Sequence, residues 1–218
     1  MCSSSQRAGC EHGAMTRSIE EPRNARSRRS RAALLRAARE LVEEHGMAAT
    51  TMAAVAERAG VSRRAVYLHF ASRAELISEL FDYVNEVEDI EGRFAPVSDA
   101  PDAVTALDRF ARRHAEFMRR VLAVSRAVER EAGDDPDAER HWATAMYWRY
   151  ETNRALMERL DREGVLAPGW TVDTATDMLL ALISNSVSET LLVNRGWTAE
   201  QAGEHMALLL RSAFVAQG

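Results

Sequence analysis

Residues 50–75, TTMAAVAERAGVSRRAVYLHFASRAE, constrain this chain more than any other stretch. Val55, Ala56 and Ala59 supply one small apolar face, and Gly60 breaks the run. Glycine is the usual residue just past a helix end because it adopts positive φ at no steric cost. Ser62 then has the side chain of an N-cap for a second helix, Arg63 to about Phe70. Within it Val66 and Phe70 share one side at i, i+4 spacing, which leaves Arg63, Arg64, Tyr67 and His69 for the outside. Small residues where two helices cross, with a basic amino-terminal end on the second, make a helix-turn-helix shaped for a major groove.

The flanks extend the pattern. Leu34, Leu35, Ala38, Leu41 and Val42 recur at helical spacing between Ser27 and His45, and Gly46 ends that helix. A three-helix DNA-binding head over residues 28–72 is expected, with Thr51 capping its second helix. Ser72 and Glu75 form a capping box that opens a long helix with Leu76, Ile77, Leu80, Phe81, Val84 and Val87 on its apolar stripe. Residues 92–101, with two prolines and a glycine, are expected to be a loop. Residues 102–131 predict one broken helix or two consecutive ones. Asp135 and Pro136 stand as N-cap and first residue of a helix that runs to Glu163. Residues 171–194 predict a helix apolar nearly all round over Met178–Ile183. Thr198 and Gln201 open the last helix, whose expected stripe is Ala202, His205, Met206, Leu209, Leu210, Ala213 and Phe214. The fold class is all-α, with a helical body over residues 73–218.

At this point the sequence resembles a known family. Gly46, Thr50–Thr51, Ala56, Ala59–Gly60–Val61–Ser62, Val66–Tyr67, His69–Phe70, Ser72–Arg73 and Leu76 look together like the amino-terminal signature of the TetR/AcrR transcriptional regulators. The likeness covers roughly residues 30–82, and the Tyr-x-His-Phe-x-Ser-Arg continuation is what a bare helix-turn-helix lacks. The resemblance implies a homodimer on a palindromic or near-palindromic double-stranded operator, released by a small-molecule effector. It implies phosphate contacts at Thr51, Ser62, Tyr67, His69 and Arg73, with a base contact as the alternative for His69. Ala65 stands where many members carry a backbone-contacting threonine, so that contact is missing. Arg63 and Arg64, at the entering end of the helix, are the expected base readers, suited to guanine O6 and N7. An activator of the same fold, a non-specific DNA binder and an all-α carrier or enzyme are the competing readings.

Charge supports the division into head and body. Residues 1–73 hold 13 Arg against 7 acidic residues, net +6, whereas residues 74–218 hold 15 against 26, net −11. A basic head on an acidic body brings only the head to phosphate. The chain has no lysine. Residues 1–27 are too poor in apolar side chains to offset their ordering entropy and are expected to be a disordered basic tail. Arg23, Arg26, Arg28, Arg29 and Arg31 at its end suit either a solvated tail or a DNA-contacting arm, and Met15 is a second candidate start. The two cysteines, Cys2 and Cys10, cannot staple a core, which fits a reducing cytoplasm. With His12 they match no standard metal spacing. No metal, no cofactor and no membrane partner is expected.

The body offers candidate ligand contacts. Phe110, His114, Phe117 and Met118 share the stripe of the helix after residue 102. Trp142, Met146, Arg149, Tyr150, Asn153 and Met157 lie along the next, and Asn185 and Glu189 follow the apolar run. Aromatics and methionines with a few polar groups suit a mostly apolar effector. Ordinary core packing accounts for each residue singly, and for His114 in particular. The last two helices are the expected dimer interface. No nucleophile elbow, phosphate-cradling glycine loop or His-Glu-x-x-His zinc helix is present, so catalysis is not expected.

Overall fold

The computed structural model describes residues 25–216. Cys2, Cys10, His12, Met15 and the rest of residues 1–24 lie outside the described residues, and so does the tail expected there. Helix α1 spans Ala25–His45, so residues 25–27, read as tail, already belong to it. Next come α2 (Met52–Arg58), α3 (Arg63–Tyr67) and α4 (Arg73–Val87). The body continues with α5 (Ile90–Ser98), α6 (Ala103–Glu131) and α7 (Pro136–Arg162). Helices α8 (Val172–Leu182) and α9 (Asn185–Glu189) lead into a π-helical turn, Thr190–Asn194, before α10 (Ala199–Phe214). The described chain is all-α; its β pairing is an isolated antiparallel bridge, Leu166 to Val215.

Side-chain caps set the helix starts. Thr51, Ser62, Ser72, Asp102 and Asp135 each accept an amide of the helix they open. Thr198 and Gln201 close the expected capping box. At Ser72 the return bond differs: the Glu75 carboxylate accepts the Ala71 amide at 2.6 Å.

Four expectations need correction. Residues 92–101 are mostly helix, because Asp89 caps α5 from φ +47° and accepts the Gly92 amide at 3.3 Å. A Cβ at Gly92 would lie 2.4 Å from that carboxylate, so glycine here serves a helix start and not a loop. Residues 103–131 form a single unbroken helix of 29 residues. Residues 171–194 are not one helix: Ser184 caps a fresh turn after α8 by accepting the Val187 amide. Finally, α3 stops at Tyr67, and Val87, His205 and Leu209 face outward instead of joining the cores.

Two apolar cores result. The first joins Leu34, Val42, Val55, Val66 and Phe70 of the head to Leu76 and Leu80 of α4 and to Met118, Leu122 and Val128 of α6. Apolar packing therefore continues from head to body across residue 72. The second joins Leu107 and Phe110 to Met157, Leu160, Leu179, Leu210 and Phe214. There α10 lies close on α6, since a Cβ at Gly203 would stand 2.9 Å from the Arg112 Cα.

Polar ties cross the same boundary. Glu88, 2% exposed, accepts Arg39 of α1 at 2.9 Å and is paired with Arg120 of α6. Burial opposes its ionisation, yet the two guanidiniums hold its carboxyl below the usual range. Glu131, the last residue of α6, accepts the Met47 and Ala48 amides at 2.8 and 2.5 Å. Glu131→Ala leaves both amides without that acceptor. A loss of about 1–3 kcal/mol in urea unfolding is expected, and an unchanged midpoint would show that the tie contributes nothing.

His114 sits in the body with burial pushing its pKa down to about 3, Arg149 adding to the effect and a backbone bond to Ile183 opposing it. Its folded pKa is below the unfolded value of ~6.5, so the unfolded chain takes up more protons as pH falls. Stability should therefore decline from about pH 6.5 toward pH 3, and His114→Leu should flatten part of that slope in thermal melts. Equal slopes in the two proteins would place the acid sensitivity elsewhere, His141 being the next candidate.

Candidate nucleic-acid interface

Helix α3 has five residues. Ser62 accepts the Ala65 amide at 3.3 Å and sets the first turn. Val66 and Phe70, both fully buried, pin the inner side to the head. That anchoring leaves Ser62, Arg63, Arg64 and Tyr67 exposed on one outer surface, with Ala65 half-buried behind them. Arg63 and Arg64 make no ion pair among the described residues, so both guanidiniums are unneutralised. Leu68, not singled out from the sequence, is the most open apolar side chain, at 77%. Its position two residues after buried Val66 is the signal that places it on the opposite face. Gly60, at φ +66°, makes the tight turn that brings α2 and α3 together.

The remaining head candidates divide. Thr51 is exposed, and its hydroxyl accepts the Ala54 amide at 3.1 Å, so α2 begins beside the same surface. His69 is half-buried; burial and the nearby Arg31 charge push its pKa down, which leaves a neutral ring at pH 7. Arg31 itself donates to the His69 carbonyl at 2.8 Å, pairs with Glu79 and lies over the Phe70 ring. Arg73 does not point outward. Its guanidinium donates to the Met47 carbonyl at 2.6 Å, the Thr50 carbonyl at 3.1 Å and the carboxylates of Asp135 and Asp137. All of its donor groups are thus engaged by the protein, and the positively charged surface is carried by Arg63 and Arg64.

In the body the sequence candidates scatter. Phe110, Met118 and Met157 are buried in the two cores, and Phe110 stacks on His114. Phe117 packs edge-on to Phe94. Met146 and Tyr150 are half-buried on α7. Asn185 donates to Glu129 at 3.0 Å and accepts Ser125, while Glu189 pairs with Arg126. Burial pulls the Arg149 pKa down against the attraction of Glu129. The His114 Nε2 and both amide atoms of Asn153 are buried without a hydrogen-bond partner. His114 borders a cavity of about 20 Å³ beside Ile183 and Leu191, and Trp142 borders one of about 80 Å³ beneath Phe81. A concavity of about 870 Å³ lies between α4 and α7 and is lined by none of the twelve candidates.

Comparison with known proteins matches both parts of the chain. The family model described as bacterial regulatory proteins, tetR family, matches residues 34–80. The HTH-type transcriptional regulator TtgR of Pseudomonas putida is 40% identical over 78 residues, 36% of this chain and 36% of that protein. The probable HTH-type transcriptional regulator ArpR of Pseudomonas putida is 40% identical over 73 residues, 34% of this chain and 35% of its own. The matched stretch spans about a third of the length of these curated relatives. Native NalD, the secondary repressor of the MexAB-OprM multidrug efflux pump in Pseudomonas aeruginosa, superposes with a TM-score of 0.64 at 25% identity. That superposition covers 88% of this chain and 100% of NalD. A transcriptional regulator from Saccharomonospora viridis, solved in complex with choline, shares the fold with a TM-score of 0.71 at 20% identity, over 87% of this chain and 100% of that one. The head thus matches the tetR family of bacterial regulatory proteins in sequence, and nearly the whole length is similar in fold to solved transcriptional regulators.

Proposed function

We propose that this protein is a homodimeric repressor that binds a palindromic or near-palindromic operator in the cytoplasm and leaves it when a small molecule occupies the body. The observation that carries the reading is the exposed, unpaired Arg63–Arg64 pair at the amino-terminal end of a helix whose inner side is locked by Val66 and Phe70. Residues 28–72 act as the DNA-binding unit and residues 73–218 as the ligand and dimer unit. Two recognition helices must sit about 34–36 Å apart to reach successive major grooves, so a dimer is required. Met178 of α8 and Leu208 and Leu209 of α10 are 43–57% exposed, an apolar surface suited to a second copy. Arg63 and Arg64 read bases, whereas Thr51, Ser62, Tyr67 and His69 touch backbone.

Release follows from geometry. The effector must favour a state whose heads no longer match the groove spacing. A 100-fold loss of affinity needs a preference of about 2.7 kcal/mol per dimer. The shared core and the Glu88, Glu131 and Arg73 ties make such coupling stiff, because the head cannot shift without disturbing the body.

Fluorescence anisotropy on the DNA upstream of the gene, with scrambled DNA as control, tests the reading. Arg63→Ala or Arg64→Ala should cost about 1–3 kcal/mol on the operator and little on random DNA. Equal losses on both DNAs would assign these arginines to phosphate. Absence of binding at low salt would overturn the DNA-binding reading of the whole protein. A footprint upstream of the promoter with increased transcription would make the protein an activator.

A further inference from the structure

The groove of about 870 Å³ between α4 and α7 is within the size range of small-molecule sites. One wall is apolar and aromatic. Phe81 and His141 stack with their planes 6° apart, and Trp148 stands beside them 63% exposed. Burial pushes the His141 pKa down to about 4, so the ring adds no positive charge at pH 7. The rim is acidic. Asp82, Glu86 and Glu91 line it and make no ion pair among the described residues. Asp89 lines it too and accepts the Gly92 amide, and Asp137 is bridged to Arg73 and to Arg140, the one guanidinium among the described lining residues, whose charge Asp137 offsets.

We infer that this groove holds a small organic cation with an apolar, aromatic body. Uncompensated carboxylates at the mouth attract positive charge, and an exposed indole face beside a concave apolar wall binds a desolvated cation through its π-system. A neutral ligand would use the wall and leave the rim unused; an anion would be repelled by it. The location links binding to the head. Ala74, Ile77 and Ser78 of the first turns of α4 line the same groove. Asp137 is one of the two carboxylates on which Arg73 ties the head to the body. A cation seated near Asp137 competes with the Arg73 guanidinium and loosens its hold on the Met47 and Thr50 carbonyls.

This inference rests on the reading of the protein as an effector-released regulator, and separate measurements keep the two apart. Calorimetry on the full chain without DNA would use tetraphenylphosphonium as the cation and triphenylphosphine oxide as the uncharged control. The cation should bind and the control should bind at least ~10-fold more weakly. Asp82→Asn/Glu86→Gln should weaken the cation by roughly tenfold without changing circular dichroism, and Trp148→Ala should weaken it further. Equal binding of cation and control, no binding of the cation, or full affinity in both variants overturns the site. Operator binding is measured alone by anisotropy. Cation binding without operator binding would uphold the groove and remove the regulator reading, and the reverse result would do the opposite.

Discussion

The Arg73 guanidinium is the contact on which the relation of head to body depends. It is the first residue of α4, so its position is fixed by the Ser72 cap. From there it reaches carbonyls of Met47 and Thr50, at the turn between α1 and α2, and the carboxylates of Asp135 and Asp137, at the start of α7. Charge-assisted bonds in a fork geometry are directional. Three segments distant in sequence are thereby held at one point. Glu131 approaches the same turn from the end of α6, and Gly46, at φ +85°, has the carboxylate where a Cβ would be. Glycine is needed there both for the backbone angle and for the space.

Part of the charge in the head is internal. Arg31, Arg39, Arg58 and Arg73 all pair with acidic side chains, and Arg31, Arg39 and Arg73 reach partners in the body: Glu79, Glu88, and Asp135 with Asp137. These four guanidiniums are therefore already neutralised by the protein. Arg63 and Arg64 differ, since neither makes an ion pair among the described residues. Specific recognition requires such side chains to be unpaired yet rigidly placed, and the buried Val66 and Phe70 supply the rigidity.

The body combines a firm frame with unsatisfied polar groups. Buried His114 and Asn153 carry atoms without partners, and an orphaned buried polar atom costs about 1–3 kcal/mol. The break at Ser184 and the π turn after it stand beside His114. Helical irregularity of this kind concentrates where a structure rearranges or binds. The cavities beside His114 and Trp142 are small, and a wider groove lies on the α4 flank, where the linking helix itself forms a wall.

Much of the fold was legible in the sequence because it is written in local chemistry. Thr51, Ser62, Ser72, Asp102, Asp135 and Thr198 are caps, Gly60 and Gly46 are ends, and the spacing of Val66 and Phe70 alone separates the buried side of α3 from its exposed side. These depend on neighbours within four residues. Helix α5 was missed because a proline and a glycine usually signal a loop, whereas here Gly92 accommodates the Asp89 cap and Arg109 takes the Pro96 carbonyl. The role of Arg73 was out of reach for a different reason. A sequence shows that a guanidinium is present but not what stands within 3 Å of it, and its partners lie 62 and 64 positions away. The same limit applies to the groove: Ile77, Phe81, His141 and Trp148 each look like ordinary helix-face residues in the sequence, and only the packing of α4 against α7 makes them one wall.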